Sequence, residues 1–196
     1  GVGVRGGIVV NNKMQTLAPS LMMKKSIIIF LFVAAAQTTF AQSLKLKRDS
    51  LFQVLKLAET PAGKIKAWIS ISENYAYAGL PDSTLFANEQ IFSIATKTHE
   101  DSLLAKAYLH YANYFSNVSD YDQALEYQFK SLSLAEKANS SYDIWLAAKE
   151  TGTTFKRLKN YGEALRYLKK AELLLNKLQP AKTESFNRTY THLAEI

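Results

Sequence analysis

The sequence predicts an all-α fold, a right-handed solenoid of antiparallel helix pairs with a period of about 40 residues. The first observation is self-similarity, because residues 105–134 recur as residues 145–174 with identical residues at several positions. The second is helical spacing inside each copy, since small and aromatic residues recur at i, i+3, i+4 and i+7. Repetition at this period is typical of solenoids, whose units stack and present an extended surface. The identities pair Phe115, Tyr121, Ala124, Leu125, Tyr127, Lys130 and Leu134 with Phe155, Tyr161, Ala164, Leu165, Tyr167, Lys170 and Leu174.

Breaks in the periodic pattern place the helices. A short polar stretch, 116–120, joins two helical runs, so those helices must lie antiparallel. Gly79 and Pro81 interrupt the first pair and Pro180 the last. We expect Pro81 near the first position of its helix, with Asp82 or Ser83 as the cap. The predicted helices are 44–59, 62–78, 82–98, 101–116, 121–138, 142–158, 161–178 and 183–196.

The residues before the repeats resemble a secretory leader. Lys24 and Lys25 precede an apolar run, 27–36, and Ala41 precedes a polar residue. A basic start, a short apolar run and a small residue before a polar one indicate a signal peptide over 22–41. The run is shorter than the roughly 20 apolar residues of a membrane span, although an uncleaved anchor is the alternative. We therefore expect an exported protein, periplasmic or attached to the inner membrane and facing the periplasm.

These boundaries define the expected domains. Residues 1–21 are low in complexity and begin with Gly1, so we expect them to be a non-native upstream segment. A capping helix would occupy 42–61, in which Leu51 and Leu55 cover the first repeat. The repeats themselves would follow, over 62–99, 101–140, 141–180 and, in part, 181–196.

Charge and composition argue against several functional classes. The chain carries 24 basic and 17 acidic residues, but residues 1–41 hold four of the bases and no acid. The remainder has a net charge of +3, which gives no argument for nucleic-acid binding. The chain has no cysteine, and its three histidines, His99, His110 and His192, lack partners at metal-ligand spacing. Since phosphate-binding and nucleophile motifs are also lacking, we expect no enzyme activity, metal or cofactor.

The repeat resembles the tetratricopeptide repeat (TPR), whose pattern of small and aromatic residues spans two helices. Its usual period is about 34 residues, so longer helices would account for the extra six. In the second copy Gln128 and Ser131 stand where the family has an aromatic residue and alanine. The third copy fits the pattern best, with Gly152, Phe155, Tyr161, Ala164, Leu168 and Ala171. The first copy is more diverged, with Trp68, Ile71, Ser72, Tyr75, Leu85 and Ile91.

The resemblance implies a protein-interaction module that binds a protein or peptide segment on the surface formed by the first helix of each repeat. A clamp for a terminal carboxylate, known in this family, fits poorly, because Glu73 replaces one of its basic or polar members and would repel the carboxylate. Only Asn113 and Lys149 match that clamp. By repeat position, the candidate binding residues are Lys66, Glu73, Leu109, Asn113, Lys149, Thr153 and Lys156.

The order of leader, short helix and long repeats also resembles the extracytoplasmic region of bacterial sensor histidine kinases and regulators. In that arrangement the repeats sense or relay, and any catalytic domain would lie beyond residue 196. The membrane would be contacted only through the leader or a later anchor. The alternative is a stand-alone periplasmic TPR scaffold for assembly.

Overall fold

The computed structural model describes Phe30, Thr39 and residues 42–178. The chain divides into two compact units with the boundary between Leu46 and Lys47. In the first unit, residues 42–46 are helical. The second unit contains the described repeats. The expected upstream segment, most of the expected signal peptide and the predicted helix 183–196 lie outside the described residues.

Helices joined by short turns make up the described part of the second unit. No strand occurs among these residues, and successive helices pack as pairs, so the prediction of an all-α solenoid is confirmed. Every helix end predicted in this part lies within two residues of the observed end. The helices are α1 (47–57 of this unit), α2 (Pro61–Tyr77), α3 (Pro81–Thr98), α4 (Asp101–Asn117), α5 (Tyr121–Lys137), α6 (Ser141–Arg157) and α7 (Tyr161–Leu178).

The 40-residue period is repeated in the backbone. In the second repeat, two 17-residue helices and two three-residue turns make up one period. The turn within each repeat has a left-handed residue at the same place: Gly79, Ser119 and Lys159, at φ 69°, 64° and 60°. In each case the next amide donates to a carbonyl five residues back, which closes the helix end with a Schellman motif. The extra length relative to the usual TPR therefore lies in longer helices.

Helix starts agree with the sequence except at α3. Thr60 caps α2, where its Oγ1 accepts from the Gly63 amide at 3.1 Å, and Asp120 caps α5 in the same way. At α3 the cap residue is Leu80, and no side chain caps the helix. The expectation of Asp82 or Ser83 as the cap was wrong, because Pro81 itself takes the first helical position and places the cap before it.

Small residues allow the helices of one repeat to approach closely. Ala112, Ala124 and Ala164 are fully buried. At Gly152, an added Cβ would lie 2.7 Å from Leu168 Cγ and 3.1 Å from the carbonyl oxygen of Ala164. The absence of a side chain at Gly152 is thus a packing requirement of the third repeat.

The two departures from the family pattern in the second repeat both form buried hydrogen bonds, one to the next repeat and one within the repeat. Gln128 Nε2 donates to Thr154 Oγ1 at 2.8 Å, and Ser131 Oγ donates to the carbonyl of Ala105 at the same distance. In the first repeat, Asn88 occupies the position of Gln128 and donates to the carbonyl of His110 at 3.0 Å. In the first two repeats, a buried polar side chain at this position therefore links the second helix to the first helix of the next repeat. The third repeat has Leu168 there.

The tyrosines divide between core and surface. Tyr108, Tyr111 and Tyr127 are partly buried and pack as an aromatic cluster with Phe92 and Phe115. Tyr161, which occupies an aromatic position of the repeat pattern, is 47% exposed. Its position at the first residue of α7 explains the difference, since only one side of a helix end is covered.

Candidate functional site

The first helices of the three repeats line one face of the solenoid. Besides packing against their own partners, α2 contacts α4 and α4 contacts α6, whereas contact between second helices is at most marginal. Because the first helices lie closer together, the stack curves with them on the inside. The inner face is therefore the surface that the sequence predicts for binding.

This face contains a groove of about 760 Å³, here called the inner groove. Its walls come from α2, α4 and α6, from the first turn of α3 and from the turns that follow α2 and α4. The same repeat positions recur in the lining, since Tyr77, Asn117 and Arg157 are spaced by 40 residues. Its principal polar members are Ser72, Glu73, His110, Asn113, Glu150 and Arg157, and its principal apolar members are Tyr77, Leu80, Pro81, Tyr114 and Val118.

Two of the predicted binding residues, Glu73 and Asn113, line the inner groove. Lys149 lies beside it and forms an ion pair with Glu150, at 2.8 Å. Thr153 is partly buried, and its hydroxyl donates to the carbonyl of Lys149 at 2.9 Å.

The remaining candidates lie elsewhere or have another role. Lys66 is exposed on α2, and Lys156 is partly buried near the end of α6. Leu109 is only 3% exposed and belongs to the hydrophobic core, in a cluster with Trp145 and Leu132. Placing Leu109 on the binding surface was therefore wrong, because the packing of α6 onto α4 covers it.

Several groove residues were not among the predicted candidates. Glu150 and Arg157 line the groove from α6, and His110 lines it from α4. The sequence held a signal for two of them, because His110 and Glu150 occupy the same repeat position, 40 residues apart. Each also follows a candidate directly, Leu109 or Lys149.

The charged groups of the groove differ in how they are held. Arg157 donates to the carbonyl and the hydroxyl of Ser116, at 3.2 and 2.8 Å, and so links the third repeat to the second. Burial raises the pKa of Glu73, and the nearby charge of Lys47 offsets part of that rise. Burial lowers the pKa of His110 to about 4, so its imidazole is neutral at pH 7.

The chemistry available in the groove is recognition by hydrogen bonds, charge and apolar contact. In the part of the chain that the structure describes, no group of His, Asp and Glu side chains is placed to hold a metal ion. Among the same residues, no helix is both long and apolar enough to cross a membrane.

No protein-family model and no curated protein matches the chain. Solved structures do match. A kinesin light chain from P. anserina with nearly identical TPR-like repeats superposes with a TM-score of 0.55 at 13% identity, over 82% of this chain and 78% of that one. The fold is TPR-like.

Two further structures share this TPR-like fold. BtubC from P. vanneervenii matches with a TM-score of 0.58 at 12% identity, over 70% of this chain. The apo form of RapI matches with a TM-score of 0.55 at 17% identity, over 72% of this chain. The TPR-like chain spans 56% of BtubC and 38% of RapI, so it corresponds to part of each of those proteins.

Proposed function

We propose that this TPR-like chain is a protein-interaction module that binds a peptide or protein segment in the inner groove. The observation that carries the proposal is the groove itself, which is open, about 760 Å³ in volume and formed by first helices from three successive repeats. Asn113 and Glu73 offer hydrogen-bonding groups, and Tyr77 offers apolar surface. Such a mixture suits a peptide, whose backbone and side chains need both kinds of contact.

Selection from a random-peptide library tests this proposal. Asn113 lines the groove, Lys149 pairs with the lining residue Glu150, and Lys156 directly precedes the lining residue Arg157. Their combined replacement by alanine removes an amide and two charges. Loss of the Asn113 contact costs about 1–3 kcal/mol and loss of the two lysines changes the charge beside the groove, so we expect the affinity for the selected peptides to change roughly tenfold or more in the triple variant, as measured by fluorescence polarisation.

A triple variant on the outer side provides the control. Glu126, Lys130 and Lys137 lie on α5, outside the groove lining, and Glu126 and Lys130 form an exposed pair. Their replacement by alanine should leave peptide affinity unchanged. Equal affinity of the groove variant and the unmodified protein would mean that the binding surface lies elsewhere.

We further propose that the module acts outside the cytoplasm, where it senses or relays a signal within a bacterial signalling protein. The leader pattern at 22–41 supports export, and the order of leader and long repeats resembles sensor proteins. A purely structural assembly scaffold is the alternative. Self-association in sedimentation experiments without any added partner would favour the scaffold.

Export is tested by fusing residues 22–60 to a reporter that is active only after export. We expect activity from this fusion, because the leader has a basic start followed by an apolar run. The matched control carries Phe32→Asp, which places a charge in the apolar run and should abolish activity. A fusion that is inactive although its reporter accumulates in the cytoplasm would refute export.

A further inference from the structure

The lining of the inner groove has more acidic than basic side chains, although the whole chain has a net positive charge. Among its described lining residues, Glu73 and Glu150 are acidic and Arg157 is the one cation. The guanidinium of Arg157 already donates to Ser116, and Glu150 already pairs with Lys149. The carboxylate of Glu73 makes no hydrogen bond or ion pair with any described residue. Among the described charged residues of the lining, Glu73 is thus the one whose carboxylate can still accept a hydrogen bond or pair with a cation.

The environment of Glu73 favours a cationic ligand. Glu73 is exposed at the groove, and the groove walls remove enough water from its carboxylate to disfavour the ionised form and raise its pKa. Lys47 acts on it only through its field. An ammonium or guanidinium group placed against this carboxylate would restore the lost solvation and gain a charge-assisted hydrogen bond.

Apart from Lys47, whose charge acts from outside the groove lining, the residues near Glu73 do not repel a cation. His110 is neutral at pH 7, so it adds no positive charge to the groove. Ser72, next to Glu73 in the chain, has its hydroxyl directed to Asn88 Oδ1 at 2.6 Å. Asn113 lines the opposite wall on α4 and offers an amide oxygen as a further acceptor.

Exposed apolar side chains in the groove lining indicate which groups of a ligand would lie beside its cationic group. Tyr77 is 72% exposed, one helical turn after Glu73 on α2, while Leu80 and Val118 are 41% and 47% exposed. An aromatic ring beside a carboxylate suits the stem and head of a long basic side chain, through apolar contact and cation–π attraction. Leu80 and Val118 can cover an adjacent apolar side chain.

We propose that the inner groove selects a basic peptide segment, with one lysine or arginine side chain against Glu73 and an apolar neighbour on Tyr77, Leu80 and Val118. This proposal rests on the proposed function, because it specifies the ligand of the same groove. It predicts charge selectivity opposite to that of a clamp for a terminal carboxylate. The unpaired Glu73 carboxylate and the exposed Tyr77 ring are the two observations that support it.

Two fluorescein-labelled peptides with blocked ends, Lys-Leu-Lys-Leu and Glu-Leu-Glu-Leu, provide the probes. We expect the lysine peptide to bind at least tenfold more tightly in fluorescence polarisation, and its affinity to fall with rising salt. Glu73→Gln, which keeps the size of the side chain, should reduce that affinity about tenfold. Glu126→Gln on α5 is the matched control and should have no effect, because Glu126 lies outside the groove lining.

Equal affinity for the two peptides, or an unchanged affinity in Glu73→Gln, would overturn the charge selectivity. The library experiment distinguishes failure of this inference from failure of the proposed function. If random-library peptides bind the unmodified protein and lose affinity in the groove variant, but carry no basic residue, the groove binds peptides and this inference is wrong. If no library peptide depends on the groove, the proposed function and this inference are both wrong.

Discussion

Gly152→Val should destabilise the third repeat by about 1–3 kcal/mol, the cost of inserting bulk into a packed core. The first added carbon would lie 2.7 Å from Leu168 Cγ, 3.0 Å from its Cδ2 and 3.1 Å from the carbonyl oxygen of Ala164. The leucine side chain can shift, but the carbonyl belongs to the backbone of α7 and cannot move without displacing the helix. Urea denaturation followed by circular dichroism measures the change in the free energy of unfolding.

Gly162→Ala is the matched control, since Gly162 lies in the partner helix α7. A Cβ there would meet only Asn160 Oδ1, at 4.0 Å. Alanine lowers the entropy of the unfolded chain, so we expect this variant to be neutral or stabilised by about 0.4–1 kcal/mol. Equal stability of Gly152→Val and the unmodified protein would show that α6 and α7 do not need their close approach.

His110 should make the protein less stable as the pH falls from about 6.5 to about 4. In the folded chain burial lowers the pKa of His110 to about 4, whereas the ordinary value is 6.5. In this interval the unfolded state binds a proton that the folded state does not, so acidification favours unfolding. If the pKa values of the folded and unfolded states differ by one, the free energy of unfolding changes by about 1.36 kcal/mol. For the partly exposed His110 side chain, the loss of stability is therefore at most about 3 kcal/mol.

The comparison with His110→Gln isolates this contribution. Glu73, Glu150 and Arg157 share the groove, and Glu73 acts in the opposite direction, because a raised carboxyl pKa favours the folded state as the pH falls. These groups remain in the variant, so the difference between the two stability profiles belongs to His110. We expect the stability of the unmodified protein, relative to the variant, to fall as the pH decreases from about 6.5 to about 4. Parallel profiles across the interval would contradict the lowered pKa.

The helices and their pairing could be predicted because their signals are local. The signals include the period of apolar residues in α5, the proline at the first position of α3 and the short turn 118–120. Each acts within a few residues of its own position. Repetition added the long-range information, since a unit that recurs at a fixed period must stack on its neighbours. Secondary structure and architecture therefore follow from the sequence alone.

The groove depended on contacts between repeats, which no local pattern records. Leu109 and Lys149 occupy the same repeat position, yet α6 covers Leu109 while Lys149 stays partly exposed and pairs with Glu150. Likewise, no local pattern connects Arg157 with Ser116, 41 residues earlier, and only the stacking of α6 on α4 brings the two side chains together. The sequence by itself determined which faces of the helices are apolar and how often they recur. The tertiary structure decided which polar side chains meet, because that depends on how neighbouring helices pack.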